Sequence, residues 1–383
     1  MAEFKDPFIM LRTIVFINMN SYKVLKVCNI LLIVLYSLIH CLLIYYMFKN
    51  VNINLVIRYS PAMLLSILAI IGAVFSVFKE KDVLEIDKVF HKTRWSLNMI
   101  TEDAQNMLKR KCLIVNACIL FLLLVIVAMF IINAPCFGNQ REIFICIQVF
   151  EEYFGKWSSI PYYFYFFGYP FLYYNFFKGW MAFVYAILET QLQFLMLEAY
   201  LCEIYHTDNV KNWKYLHDTH YQEEIGKSLR LCIAHHNVLK KMFKMVVNIT
   251  DTAMPFFLLL GSLILISAFA FIINFVDTMT TILKIRIFIS AIVMVSITML
   301  LSWIGQQLIN VTSDIFFTLG GAPWYYWNLK NVKILLIFLT NCTKNESIIL
   351  AGICLDYQMC ISLFQLAVSY ALVLLNLRKS SLV

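Results

Sequence analysis

A chain of 383 residues that is 61% hydrophobic, only 14% charged and of mean hydropathy +0.76 carries more apolar sequence than a soluble core can bury, which excludes a soluble globular protein. The net charge of +8 is not a nucleic-acid signal, because the basic residues gather in short segments between apolar runs, as they do in the cytoplasmic loops of polytopic membrane proteins.

The first twenty residues are mixed in character, with no long apolar run ahead of a small-residue cleavage site, so the first apolar run is expected to direct insertion itself. A membrane span needs about 20 mostly apolar residues. Seven spans are expected, over 26–48, 55–78, 113–133, 179–203, 253–276, 286–308 and 347–377. Pro61 and Pro255 fall near span starts, where proline is tolerated.

Between the third and fourth spans, "WSSIPYYFYFFGYPFLYYNFF" is dominated by aromatics, is broken by Pro161 and Pro170, and carries almost no charge. Trp and Tyr favour the membrane interface, so this stretch is expected to form a lid on the outer face of the bundle. A broken extra helix is the competing reading. Cys136 and Cys146 share this connection, and a disulfide between them requires that it face the oxidising side.

The 204–250 region has the opposite character. Ile225, Leu229, Cys232, Ile233, Leu239, Met242, Phe243 and Val246 recur at near-helical spacing with charges between them. It is expected to be a cytoplasmic extension of the fourth and fifth helices, with a face for packing. His235 and His236 point about 100° apart on such a helix, too far to share an ion easily, so a structural or solvent-facing role is expected. Farther on, "VKILLIFLT" is about half a span long and follows the Pro-broken "GGAPWYYWNLKN", which makes it a buried or interfacial helix.

Of the 31 Lys and Arg residues, 22 fall in the N-terminal segment and in segments 79–111, 204–250 and 309–346. The positive-inside rule therefore places the N-terminus in the cytoplasm and the C-terminus outside. The acceptor sequons at Asn248, Asn310, Asn341 and Asn345 then lie on the cytoplasmic side, so the chain is expected to be unglycosylated. No nucleophile elbow, metalloprotease motif, Walker loop or dinucleotide fingerprint is present. Of the ionisable residues in apolar runs, Glu189 and Glu198 fall in the fourth span and Asp356 in the seventh, while His40 and Arg58 are expected to snorkel from span ends. Nothing pairs them into an acid–base set. No catalytic residue, cofactor or metal site is expected.

The last span poses a sharper question. At about 100° per residue, Gln358, Ser362, Gln365, Ser369 and Asn376 fall within about 60° of one another, with Val373 and Leu377 beside them near the far end. Such a stripe is either a helix–helix interface joined by small and amide side chains or a wet pore lining with an apolar constriction. The wheel leaves both open.

Four segments here resemble the insect odorant receptor family: "LRLCIAHHNVLKKM", "PWYYWNLKNVKILLIFLTNC", "ILAGICLDYQMCISLFQLAVSY" and the terminal "SYALVLLNL". The likeness is strongest in the C-terminal third. It implies an all-α, seven-transmembrane subunit of an odorant-gated, non-selective cation channel, four subunits surrounding one pore lined by their last helices. It further implies a gate at Val373, Asn376 and Leu377, with Ser369 and Gln365 on the same face. Cytoplasmic helices, including 314–340, would form the anchor where subunits meet. The short second cytoplasmic loop is similar to that of the tuning subunits, which assemble with the odorant receptor co-receptor in the dendrites of olfactory sensory neurons.

On that reading the chain divides into 1–308 (six helices and an outer-half odorant pocket), 309–346 (the anchor) and 347–383 (the pore helix). Odorant-binding candidates are Tyr59, Met63 and Ser66, one face of the second span by their spacing. From the third span come Met129, Phe130 and Asn133. Tyr185 and Glu189 lie on the fourth, Phe269 and Ile273 on the fifth, and Ile289, Val293 and Ser296 on the sixth. A pocket without paired charges suits a neutral volatile. Expected partners are the co-receptor, the odorant, permeating cations and membrane lipids, with no nucleic acid. A gustatory-type channel is the nearer alternative and a G-protein-coupled receptor the farther one.

Overall fold

The computed structural model describes residues 7–15, 23–50, 52–134, 140–206 and 216–381, with side chains described as far as Asn376. Its helices are α1 (Ile9–Val15), α2 (Lys23–Lys49), α3 (Ile53–Phe78), α4 (Glu80–Thr93), α5 (Glu102–Ile132), α6 (Cys146–Phe154), α7 (Ser159–His206), α8 (Thr219–Asp251), α9 (Met254–Phe275), α10 (Thr281–Gly320) and α11 (Leu329–Cys342). A small antiparallel hairpin, β1 (Ile349–Leu350) and β2 (Ile353–Cys354), precedes the terminal α12 (Tyr357–Ser381). Among the described residues seven helices are long and apolar enough to cross a membrane: α2, α3, α5, α7, α9, α10 and α12.

The fourth of these corrects the expected lid. Residues 159–206 form one 48-residue helix, so the aromatic stretch is its first half. Pro161 lies in the first turn, where a missing N–H costs nothing, and Pro170 is accommodated in the interior. One face is buried, where Tyr165, Phe166, Leu172 and Tyr173 pack with α2, α3 and α6 in one aromatic-rich core, while Tyr163, Phe164, Phe167 and Phe171 are exposed. α7 is the central helix, with 89% of its most apolar window buried, and it contacts α1, α2, α3, α4, α5, α8 and α10.

Pro61 is also deeper than expected. α3 starts at Ile53, where the Asn52 side chain accepts from the Asn54 N–H at 2.9 Å, so the proline lies in the helix interior. The expected spans over 113–133 and 286–308 are the apolar parts of longer helices, because α5 begins in the charged "EDAQNMLKRK" turns and α10 runs on to Gly320.

α11 forms as anticipated, whereas α8 is a helix of its own and not an extension of α7 or α9, and the two pair with each other. Asn331 Nδ2 donates to the Gln222 carbonyl at 2.7 Å, and Gln222 Nε2 donates to the Tyr326 carbonyl at 2.8 Å. A Cβ at Gly226 would sit 2.7 Å from Asn331 Oδ1, so glycine is what allows this approach. Lys240 bridges to Glu346 at 2.9 Å and fastens the segment after α11 to α8.

The expected start of the last span at 347 is corrected too. Ile349 pairs with Cys354 and Leu350 with Ile353 around Ala351 and Gly352, both at positive φ (50° and 81°), the pair of left-handed residues a tight hairpin turn requires. The Ala351 N–H donates to Asp251 Oδ1 at 2.9 Å, tying the turn to the α8–α9 elbow. Asp356, expected inside the span, instead accepts from the Met359 N–H at 2.8 Å at the start of α12. Among the described residues α12 packs mainly along α9 and α10, and none of its most apolar window is buried.

Candidate functional site

Two of the residues chosen from the second span meet in a small cavity of about 10 Å³, lined by Met63, Ser66 and Ala62 of α3, His40 and Leu43 of α2, Tyr165 of α7 and residues 143–146 at the start of α6. Tyr59, one turn before Met63 on α3, lies outside this lining. Its hydroxyl donates to the Arg141 carbonyl at 2.8 Å and accepts from Gln148 Nε2 at 2.9 Å, so it fastens the 140–154 segment over the cavity as a roof. Arg58 reaches the same roof, its Nε donating to the Glu142 carbonyl at 3.3 Å. The Ser66 hydroxyl donates to its own helix at Ala62 (2.9 Å).

His40 corrects an expectation here. It does not snorkel. It is 3% exposed, its Nδ1 is 2.8 Å from the Tyr36 carbonyl, and its ring lies beside the Tyr36–Tyr165 pair. Tyr36 in turn bonds the Tyr165 carbonyl. Tyr165, Tyr169 and Tyr173 continue this aromatic column along α7, and the Tyr169 hydroxyl donates to that of Tyr173 at 2.9 Å.

The third- and sixth-span candidates form a neighbouring group. Met129 and Val293 are buried together, with Phe130 and Ile289 packed against them. The Phe130 ring stands edge-on to Tyr169 and Tyr173, at centroid distances of 6.4 and 5.5 Å, which joins this group to the aromatic column. Ser296, one turn along α10, is half-buried. Asn133 does something else: its Nδ2 donates to the Met129 carbonyl at 2.8 Å and closes the end of α5.

The remaining candidates lie apart. Tyr185 lines a different cleft, toward the other end of α3, and Glu189 is buried one turn farther along α7. Phe269 is half-buried and Ile273 buried on α9, and neither lines the roofed cavity. Sequence reasoning missed His40, Tyr165, Phe144 and Cys146. The one signal was His40, an ionisable residue inside an apolar run. Cys136, the suggested disulfide partner of Cys146, lies outside the described residues.

On α12, Gln365, Ser369, Val373 and Asn376 are all exposed in the single chain, Val373 at 53%. The side chain of Leu377 lies outside the described residues. Below the bundle, the histidine pair is structural. His235 stacks on Trp95 at 4.1 Å between centroids, and His236 Nε2 is 3.6 Å from Cys342 Sγ. Burial pushes both imidazoles down to about 4.

No family model matches this sequence, and no curated protein does. Among solved structures, the chain is similar to the insect olfactory receptor OR5 from Machilis hrabei, with a TM-score of 0.70 at 9% identity over 97% of this chain and 100% of that one. The same receptor in complex with eugenol aligns over the same shares, with a TM-score of 0.75 at 10% identity. The chain therefore has the fold of an insect olfactory receptor, in which seven helices are built for a membrane.

Proposed function

We propose that the chain is the odorant-sensing subunit of a ligand-gated, non-selective cation channel, a member of the insect odorant receptor family that assembles with the odorant receptor co-receptor. The observation that carries this reading is the state of α12. It is an apolar helix with a polar stripe, and it has no burial of its own in the single chain. A helix so built belongs against other subunits around a wet path, with Gln365, Ser369 and Asn376 toward the water and Val373 with Leu377 as the constriction. The fold it shares with a receptor solved with eugenol supports a small-molecule stimulus.

In this reading a neutral volatile binds beside the Met129–Phe130–Val293 group and opens the adjoining roofed cavity, which is too small to take it as it stands, and its binding shifts the bundle against α12. The N-terminus is cytoplasmic and the C-terminus is outside. Two results test the reading together: staining of a C-terminal tag on unpermeabilised cells, and odour-evoked current that requires the co-receptor. An intracellular tag, or current from this chain without the co-receptor, contradicts it.

A further inference from the structure

The roofed cavity has room for little more than one hydroxyl group, and the polar atoms around it select which kind of oxygen it takes. His40 is the first of them. It is buried, and its Nδ1 is 2.8 Å from the Tyr36 carbonyl. A carbonyl only accepts, so the neutral ring carries its proton on Nδ1 and Nε2 is left as an acceptor. Nε2 is fully buried and has no hydrogen-bond partner among the described residues. An acceptor buried without a donor is destabilising, and native side chains rarely keep one without a reason.

The hydroxyls nearby do not supply the missing donor. Ser66 gives its one proton to the Ala62 carbonyl at 2.9 Å. Its oxygen also hydrogen-bonds with the hydroxyls of Tyr165 and Tyr173, and with the serine proton committed both tyrosines must donate. Tyr169 donates in turn to Tyr173 at 2.9 Å. The chain runs from Tyr169 through Tyr173 and Ser66 to Ala62, Tyr165 joins it at Ser66, and every hydroxyl proton in it is engaged. Cys146 adds only a weak thiol donor, and its sulfur takes the N–H groups of Cys146 and Ile147. The side chains of this corner therefore hold a spare acceptor and no spare hydroxyl proton. Ring-to-ring steps of 6.3 Å from His40 to Tyr165 and 6.2 Å from Tyr165 to Tyr169 lead to the ring that Phe130 meets edge-on, so one elongated molecule reaches from Phe130 to His40.

We infer that the odorant is a hydrogen-bond donor, an alcohol or phenol whose hydroxyl enters the roofed cavity and donates to His40 Nε2. This rests on the proposed odorant site and names its ligand class. The ether, ester or aldehyde of the same skeleton sets a lone pair against a lone pair there. One such bond, made to an acceptor otherwise without a donor, corresponds to about tenfold in affinity.

The test uses matched sets: phenylethanol, octanol and geraniol, each with its methyl ether and its aldehyde, and cresol with its methyl ether. Binding is read as the ligand-induced rise in unfolding temperature of the full chain in lipid nanodiscs. On at least one skeleton the alcohol or phenol should bind about tenfold more tightly than its partners. His40→Phe keeps a ring and removes the acceptor, so it should bring the hydroxyl compound to the level of its ether and leave the ether unchanged. Ser66→Ala frees the Tyr165 proton, so it should improve the aldehyde, a gain that lost packing does not produce. A hydroxyl preference on no skeleton, or one that survives His40→Phe, overturns the inference. Should His40→Phe fail to reach the membrane, an aldehyde left unimproved by Ser66→Ala overturns it instead. The nanodisc ranking needs no current, so failure of the channel reading and failure of this inference are told apart.

Discussion

Tyr59 shows how much a single hydroxyl does beside a small cavity. It holds Arg141 and Gln148 of the roof at once, and both bonds form away from bulk water. Tyr59→Phe keeps the ring and removes both bonds, leaving the Arg141 carbonyl without this donor. Each is worth about 1 kcal/mol, so losing both, about 2 kcal/mol, should raise the odorant dose–response midpoint by up to roughly thirtyfold at unchanged surface expression. His235 and His236 govern pH dependence. Their folded values near 4 lie below the unfolded value of 6.5, so the unfolded chain takes up the extra protons. The stability they allow is full above about 6.5 and is lost as pH falls toward about 4. Thermal unfolding in detergent should shift to lower temperature between pH 7 and pH 5. His235→Phe, which keeps a ring on Trp95, should flatten that slope.

At the scale of elements, the contact between α10 and the start of α12 depends on one glycine. A Cβ at Gly305 would lie 1.7 Å from the Leu355 carbonyl oxygen, a backbone atom that has no free rotation. Gly305→Ala should therefore push the α12 entry away and cost about 1–3 kcal/mol, measurable as a lower unfolding midpoint. Much of this architecture was legible. The spacing of Ile225, Leu229, Cys232, Ile233, Leu239, Met242, Phe243 and Val246 identified the buried face of α8, and all are buried except Ile233, which is half-buried. The first half of α7 was not legible, because tyrosine reads as interfacial and Pro161 and Pro170 read as breaks. The hairpin was hidden because Ala351 and Gly352 fall in an apolar run whose turn is set by backbone φ and by Asp251, a hundred residues away. The roofed cavity was half legible. Met63 and Ser66 share a helix face that spacing reveals, whereas His40, Tyr165 and Cys146 arrive from three other segments by tertiary packing.

For the whole molecule, the terminal helix is the feature that a single chain leaves unexplained. α7 is buried and α12 is not, although both are membrane-length and apolar. In the proposed assembly the ring of α12 helices is the conduction path, and this subunit gives it Val373 and Asn376. Val373→Ala should raise basal leak, and Asn376→Asp should shift cation preference by adding a carboxylate to the constriction, each modestly because the co-receptor supplies the rest of the ring. Recordings with and without odorant check both. The most direct measurement of the central claim is the odour-evoked current in membrane patches excised from cells that express this chain with the co-receptor, bathed without nucleotide. The account predicts cation current within tens of milliseconds of odorant arrival, carried by both Na⁺ and K⁺. Current that vanishes on excision and returns only with GTP would contradict it.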